Sequence, residues 1–170
     1  MSLVQGLVTV SDLNGYAKFA ARQREEDLFQ LLSGYYEMVG DVIESARGRV
    51  IKFLGDATLN LFTPEDADAG VRAMLRLQKE GDLYLAARGC PCRHDVRAHF
   101  GPVYLGEIGT RRDKRPDIFG TTVNTLVMLK APGSAITPEA FRKLAPATRQ
   151  LFKKHTPPVT YIPLAQPHRK

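Results

Sequence analysis

Cysteine is nearly missing from this chain: only Cys90 and Cys92 occur, in the segment GCPCRHD. They are too close to staple a domain together, and with His94 they lack the second cysteine pair of a structural zinc module. Also missing is any stretch approaching the roughly 18 unbroken apolar residues that a membrane-spanning helix needs. The N-terminal MSLVQGLVTV has no basic leader and runs directly into a strand-like pattern, so no signal peptide and a cytoplasmic protein are expected. No internal repeat, low-complexity linker or domain boundary interrupts the chain. Residues 1–170 are therefore expected to form a single domain, long enough to bury a real core.

What is present is ordinary for a globular protein in bulk and unusual in charge. The formal net charge of +6 favours polyanionic partners, and nucleotides and nucleic acids qualify equally. The excess is concentrated in TRRDKR at 110–115 and in the tail over 142–170. A charged loop and a basic tail suit a solvated surface better than a nucleic-acid groove, so nucleic acid is not the expected partner.

Patterning predicts alternating strands and helices. LVTVSDL reads as a strand ending near Asp12, with Asn14-Gly15 as a turn. Residues 16–46 carry apolar side chains at helical spacing and read as two helices, or one interrupted near Ser33-Gly34. RVIKFL and ATLNLF flank Gly55-Asp56 as a β-hairpin. A helix is predicted over 67–79 behind Thr63-Pro64-Glu65-Asp66, and a long strand over VRAHFGPVYLGEIG. Thr121-Thr122 are expected to cap a helix running on toward Pro132-Gly133. A strand, a short helix and a final strand complete the chain. An α/β sandwich follows, its mixed sheet covered by helices on one face.

Two aspartates carry the chemistry. Asp12 ends a strand, and Asp56 sits in a tight turn between two others. Each alone fits a bland role, a helix cap and a turn residue. Together, carboxylates so held suit a pair of divalent ions about 3.5–4 Å apart, able to activate an attacking oxygen and neutralise a leaving phosphate. Lys52, four residues before Asp56, and the downstream segment PDIFGTTVN point the same way, toward a nucleoside triphosphate.

The order of these motifs resembles the class III nucleotide cyclase catalytic domain, the fold of adenylate and guanylate cyclases. VSDLNGY looks like the first metal-binding motif of that family. IKFLGDATLNLF is similar to its Lys-x-x-Gly-Asp hairpin, HFGPVYLGEIG to its glycine-rich strand, and PDIFGTTVN to its Asp-Ile-aromatic-Gly-x-Thr-Val-Asn signature. The similarity runs over residues 8–164. The Gly-Gly-Asp/Glu-Glu-Phe signature of diguanylate cyclases is absent.

The resemblance implies a ferredoxin-like fold with a mixed, mostly antiparallel sheet. It implies that Asp12 and Asp56 hold two Mg²⁺ or Mn²⁺ ions, and that backbone amides of Leu13, Asn14, Gly15 and Tyr16 cradle phosphates. Lys52 and Asp117 match the family's adenine pair, a lysine donating to N1 and an aspartate accepting from the 6-amino group. Asn124 matches the residue that orients the ribose. ATP is thus the implied ligand over GTP. In the family, one subunit supplies the metal aspartates and its partner supplies the Lys, Asp and Asn. A homodimer with two equivalent sites is expected, residues 101–116 forming an arm toward the partner.

The chain departs from the family pattern in two places. The transition-state arginine stands four residues after the asparagine, and here that residue is Met128. Methionine cannot stabilise a developing negative phosphate, so activity is expected to be weak, or to need a heterodimeric partner that brings the arginine. Lys130 lies two residues further on, about 200° round a helix, and faces away. The family's terminal phosphate-gripping lysine falls within FKKHTPPVTY, where Lys153, Lys154 or His155 can align. Two functions are therefore expected: an adenylate cyclase making 3′,5′-cyclic AMP and pyrophosphate, or an inactive homologue that binds a nucleotide or a partner.

Overall fold

The computed structural model describes residues 1–129, 131 and 133–168, and Lys130 lies outside them. In chain order the elements are β1 (Ser2–Asn14), α1 (Tyr16–Ala20), α2 (Glu25–Ser45), β2 (Arg49–Leu54), β3 (Ala57–Phe62), α3 (Ala67–Ala86), β4 (Arg93–Gly109), β5 (Lys114–Phe119), α4 (Thr121–Val127), β6 (Ala135–Ile136), α5 (Pro138–Phe141), α6 (Pro146–Arg149), β7 (Phe152–His155) and β8 (Thr160–Pro163). One sheet runs β2-β3-β1-β4-β6-β8-β7, with β5 paired to the far half of β4. Every pairing is antiparallel except β4 with β6, the mixed sheet that the patterning predicts.

Strand alternation separates the two faces of this sheet. Leu7 and Leu13 of β1 and Val96, Ala98 and Phe100 of β4 share one core with the long helices α2 and α3. Val8 and Val10 of β1, Leu59 of β3 and Val103 of β4 point the other way, into a smaller core closed by Val123 and Leu126 of α4. The two long helices thus share one face, as expected, while the short α4 lies on the other. Its three-residue apolar step, Val123 to Leu126, is what lets it pack there.

Local signals account for most element boundaries. Along α2 the buried residues Leu31, Tyr35, Val39, Val42 and Ile43 recur at helical spacing, and Glu25, Glu26 and Asp27 place acid charge at its positive end. The interruption falls at residues 21–24 rather than at Ser33-Gly34, which continue the helix. A side chain at Gly34 would collide with the Tyr84 hydroxyl of α3, a group that donates to the Leu31 carbonyl at 2.9 Å. Gly34 is therefore a helix crossing and not a break. Helix α3 runs seven residues past the predicted end, to Ala86, and stops before Gly89, whose φ is +68°.

Thr121 and Thr122 fall inside α4 instead of capping it. Gly120 occupies the capping position, and the Thr122 hydroxyl donates to the Pro102 carbonyl at 2.7 Å, pinning α4 to β4. The segment FKKH forms β7, an edge strand pairing with β8 that the pattern did not reveal.

Helix α3 meets the sheet through Gly70, where a Cβ would stand 2.8 Å from Leu7 and Phe62 side-chain atoms. Alanine there gains up to about 1 kcal/mol in helix propensity but overpacks a filled core at about 1–3 kcal/mol. Gly70→Ala is expected to lower stability in urea unfolding; an unchanged or higher midpoint would refute the close packing.

Candidate functional site

Asp12 sits near the end of β1, on the face away from α2 and α3. It lines a cavity of about 480 Å³, a size suited to a small-molecule ligand. Lys52 from β2, Arg97 from β4 and Asn124 from α4 line the same cavity, above an apolar floor that includes Val10, Leu59 and Ile118. Two larger hollows, about 700 and 750 Å³, lie elsewhere around Lys79, Asp82 and Arg93. Of the residues expected in the site, only Asn14 reaches either of them.

The second aspartate is brought to the first by the hairpin turn. Gly55 adopts a φ of +61°, which allows β2 to reverse tightly into β3. Asp56 then turns its Oδ2 toward β1 and accepts from the Leu13 amide at 3.0 Å. Helix α2 fixes the turn from below, where the Tyr36 hydroxyl donates to the Gly55 carbonyl at 2.5 Å. The Tyr36 ring stacks on Phe53 with centroids 3.8 Å apart. Tyr36 is thus a clamp on the Asp56 turn.

Burial holds the Asp12 carboxyl above its ordinary value, Asp95 and Asp56 adding to the rise and Arg97 opposing it. Desolvated carboxylates that repel one another call for a cation. Among the described residues, no group of three or more His, Cys, Asp or Glu side chains is gathered to hold an ion unaided. Two hard carboxylates fit Mg²⁺ or Mn²⁺ provided that a ligand's own oxygens complete the coordination shell, as phosphates do.

Lys52 Nζ, from the cavity lining, and Asp117 Oδ2 are 2.6 Å apart and tie β2 to β5, while Asp117 and Asp56 themselves lie outside the lining. Asp117 Oδ1 also accepts from the Ile118 amide at 2.8 Å. Two ammonium protons of Lys52 and a lone pair on each Asp117 oxygen remain available.

The other predicted positions divide. The Leu13 amide donates to Asp56, and the Asn14 side chain donates to Asp95 at 3.3 Å. Gly15, with a φ of +90°, leads into α1, whose first turn from Tyr16 leaves amides without helical acceptors. Met128 caps the C-terminus of α4, exposed and outside the cavity lining. Lys153, Lys154 and His155 lie on β7, at the opposite edge of the sheet from β2, and none lines the cavity. Cys90 and Cys92 are free, buried thiols, and burial pushes that of Cys92 up to about 12. Arg97 was missed. Its signal was its odd position in the alternating VRAHFGPV, but which face odd positions take depends on the pairing with β1.

No protein-family model matches the chain. An adenylate cyclase of Anabaena cylindrica is 26% identical over 121 residues, covering 66% of this chain and 24% of that protein. A bacterial light-regulated adenylyl cyclase superposes with a TM-score of 0.84 at 21% identity, over 99% of this chain and 54% of the other. The fold is that of a class III cyclase catalytic domain. The motif resemblance and the sheet architecture agree on this, and the curated relatives carry the name adenylate cyclase. A class III adenylyl cyclase-like ATP-binding protein from Pseudomonas aeruginosa shares the fold too, with a TM-score of 0.75 at 19% identity, over 89% of this chain and 37% of that one. The chain spans about a quarter to a third of the length of the curated relatives it matches. None of its described helices is long and apolar enough to cross a membrane.

The raised Asp12 carboxyl fixes a sign. Above the ordinary value of 3.8 the folded domain holds this proton more tightly than the unfolded chain. Stability therefore falls as pH rises through that window, and the loss is complete at neutral pH. Asp12→Asn removes this cost: its thermal midpoint, measured without metal, is expected to exceed wild type at pH 7 and to equal it at pH 3. An equal gain at both pH values would refute the electrostatic origin.

Proposed function

We propose that this domain is an adenylate cyclase, converting ATP to 3′,5′-cyclic AMP and pyrophosphate at an interface between two copies of the chain. The observation that carries the reading is the Lys52–Asp117 pair, 2.6 Å apart, whose lysine lines the same cavity as Asp12 and Asn124. The pair keeps a donor for adenine N1 and an acceptor for its 6-amino group, whereas guanine presents N1–H and O6 with both senses reversed. Held in Asp12 and Asp56, Mg²⁺ or Mn²⁺ supplies Lewis-acid activation of the ribose 3′-oxygen and neutralises charge on the triphosphate. Asn124 offers an amide to the ribose. Lys52 and Asp117 hold the base so that the 3′-oxygen faces the α-phosphorus. Nucleophile and phosphorus belong to one flexible molecule, and such positioning confines it to a conformation near attack.

A second copy is favoured by the rim. Leu54, Ile108, Phe119, Val127 and Met128 are 43–76% exposed, a concentration of apolar surface that suits a partner rather than water. A partner would also exclude solvent from the open cavity and strengthen every charge within it.

A second reading, nucleotide binding without turnover, is favoured by Met128, which stands where the family resemblance implies a charged clamp. A cyclase-like protein described as ATP-binding shares the fold.

Cyclic AMP formation from ATP with Mn²⁺, at high protein concentration, separates the two. Wild type is expected to turn over slowly, Asp56→Ala to lose activity, and Met128→Arg to gain on the order of 10²–10³ in rate. ATP–Mn²⁺ binding with no product from any of the three proteins would select the second reading. A preference for GTP would overturn the adenine assignment.

A further inference from the structure

We propose that Arg97 binds the triphosphate of the nucleotide, supplying from this chain's own sheet a cation for which sequence position 128 has no equivalent. The inference rests on the nucleotide-site reading above and adds a residue to it.

Strand register brings Arg97 to the site. Val10 of β1 pairs with Arg97 of β4, and Asp12 pairs with Asp95. Residues two apart on a strand share a face, so Asp12 and Arg97 are diagonal neighbours, a separation of roughly 7–8 Å that a long side chain can bridge. Both line the cavity that holds Lys52 and Asn124.

The guanidinium has no partner where it lies. Arg97 Nε is buried and unpaired, and among the described residues Arg97 forms neither a hydrogen bond nor an ion pair, even with Asp12 and Asp95 nearby. The residue is half-buried with its Nε shut off from water, and a buried polar atom left without a partner is costly. What remains is a planar fork of N–H donors facing an open cavity, the geometry that takes phosphate oxygens two at a time. Lys52 is paired with Asp117 and assigned to the base, and within one chain Lys153 and Lys154 lie at the far edge of the sheet. Of this chain's own cations, Arg97 therefore has both the position and the unpaired donors to meet a polyphosphate beside Asp12.

The test uses inorganic tripolyphosphate with excess Mn²⁺, so that the base plays no part, and compares wild type with Arg97→Gln and Arg97→Lys by calorimetry and thermal unfolding. Arg97→Gln is expected to weaken binding about 10–100-fold, the equivalent of a charge-assisted hydrogen bond, with its unfolding midpoint little changed. Arg97→Lys, keeping the charge and losing the fork, should fall between. Wild-type affinity in Arg97→Gln, or no tripolyphosphate binding by wild type, overturns the proposal. So does collapse of the fold in both variants, which would make the role structural. Arg97-dependent tripolyphosphate binding without any preference for ATP over GTP would instead leave Arg97 standing and sink the adenine reading.

Discussion

The antiparallel pairing of β1 with β4 is the constraint on which the site depends. It runs unbroken from Ser2 opposite Leu105 to Asn14 opposite Arg93. Because strand side chains alternate strictly, this one register decides which face every residue of both strands takes, and a slip of one would exchange the faces. With Leu7 opposite Phe100 and Val8 opposite His99, the odd residues of β1 enter the helix-covered core. The even ones, ending in Asp12, face the cavity. Val8 and Val10 on its own face, and Leu7 and Leu13 on the other, anchor the strand that carries Asp12.

The hairpin and α2 convert that placement into a site. Asp56 gains its position from Gly55, from the Leu13 amide and from the hydroxyl of Tyr36, three supports that come from three different elements. The turn residue itself needs little intrinsic preference. Loops hold chemistry well when a rigid scaffold fixes them, and here the scaffold is a 21-residue helix packed under the sheet. Tyr36 links the main core to the acidic end of the cavity, so the packing of α2 and the position of a carboxylate are one problem.

Much of this was legible before any coordinates. The Gly55-Asp56 hairpin, the strand ending at Asp12 and the Lys52-to-Asp56 offset are local, and local patterns survive in sequence. The same holds for the mixed sheet. Other features rest on distant pairings that no short segment encodes. Gly34 reads as a break because glycine is a poor helix former, and only the approach of Tyr84, fifty residues later, gives it another purpose. Thr121 and Thr122 read as caps because hydroxyls cap, until the Pro102 carbonyl takes one of them. Arg97 was invisible for the same reason: an arginine in an alternating strand is ordinarily a surface residue, and its direction follows from Val10 opposite. The occupied Leu13 amide likewise appears only once Asp56 is seen to reach it.

The charges of the cavity also explain why its two ends differ. At one end Lys52 and Asp117 neutralise each other and tie β2 to β5, an arrangement partly open to water and therefore modest in energy. A planar ring edge can share that pair at little cost, since neither partner has to be separated for the remaining donors and acceptors to be used. At the other end Asp12 and Asp56 repel, and Arg97 offsets them only from a distance. Such an end is unsatisfied in the free chain and gains most from an ion and an anion arriving together. On the proposed reading, the neutral pair would select the ligand and the repelling carboxylates would hold its charge through an ion. Met128, uncharged and outside the lining, adds nothing to either end within one chain. Whatever catalysis the domain achieves must then draw on charges already inside the cavity or on those a second chain brings to its rim.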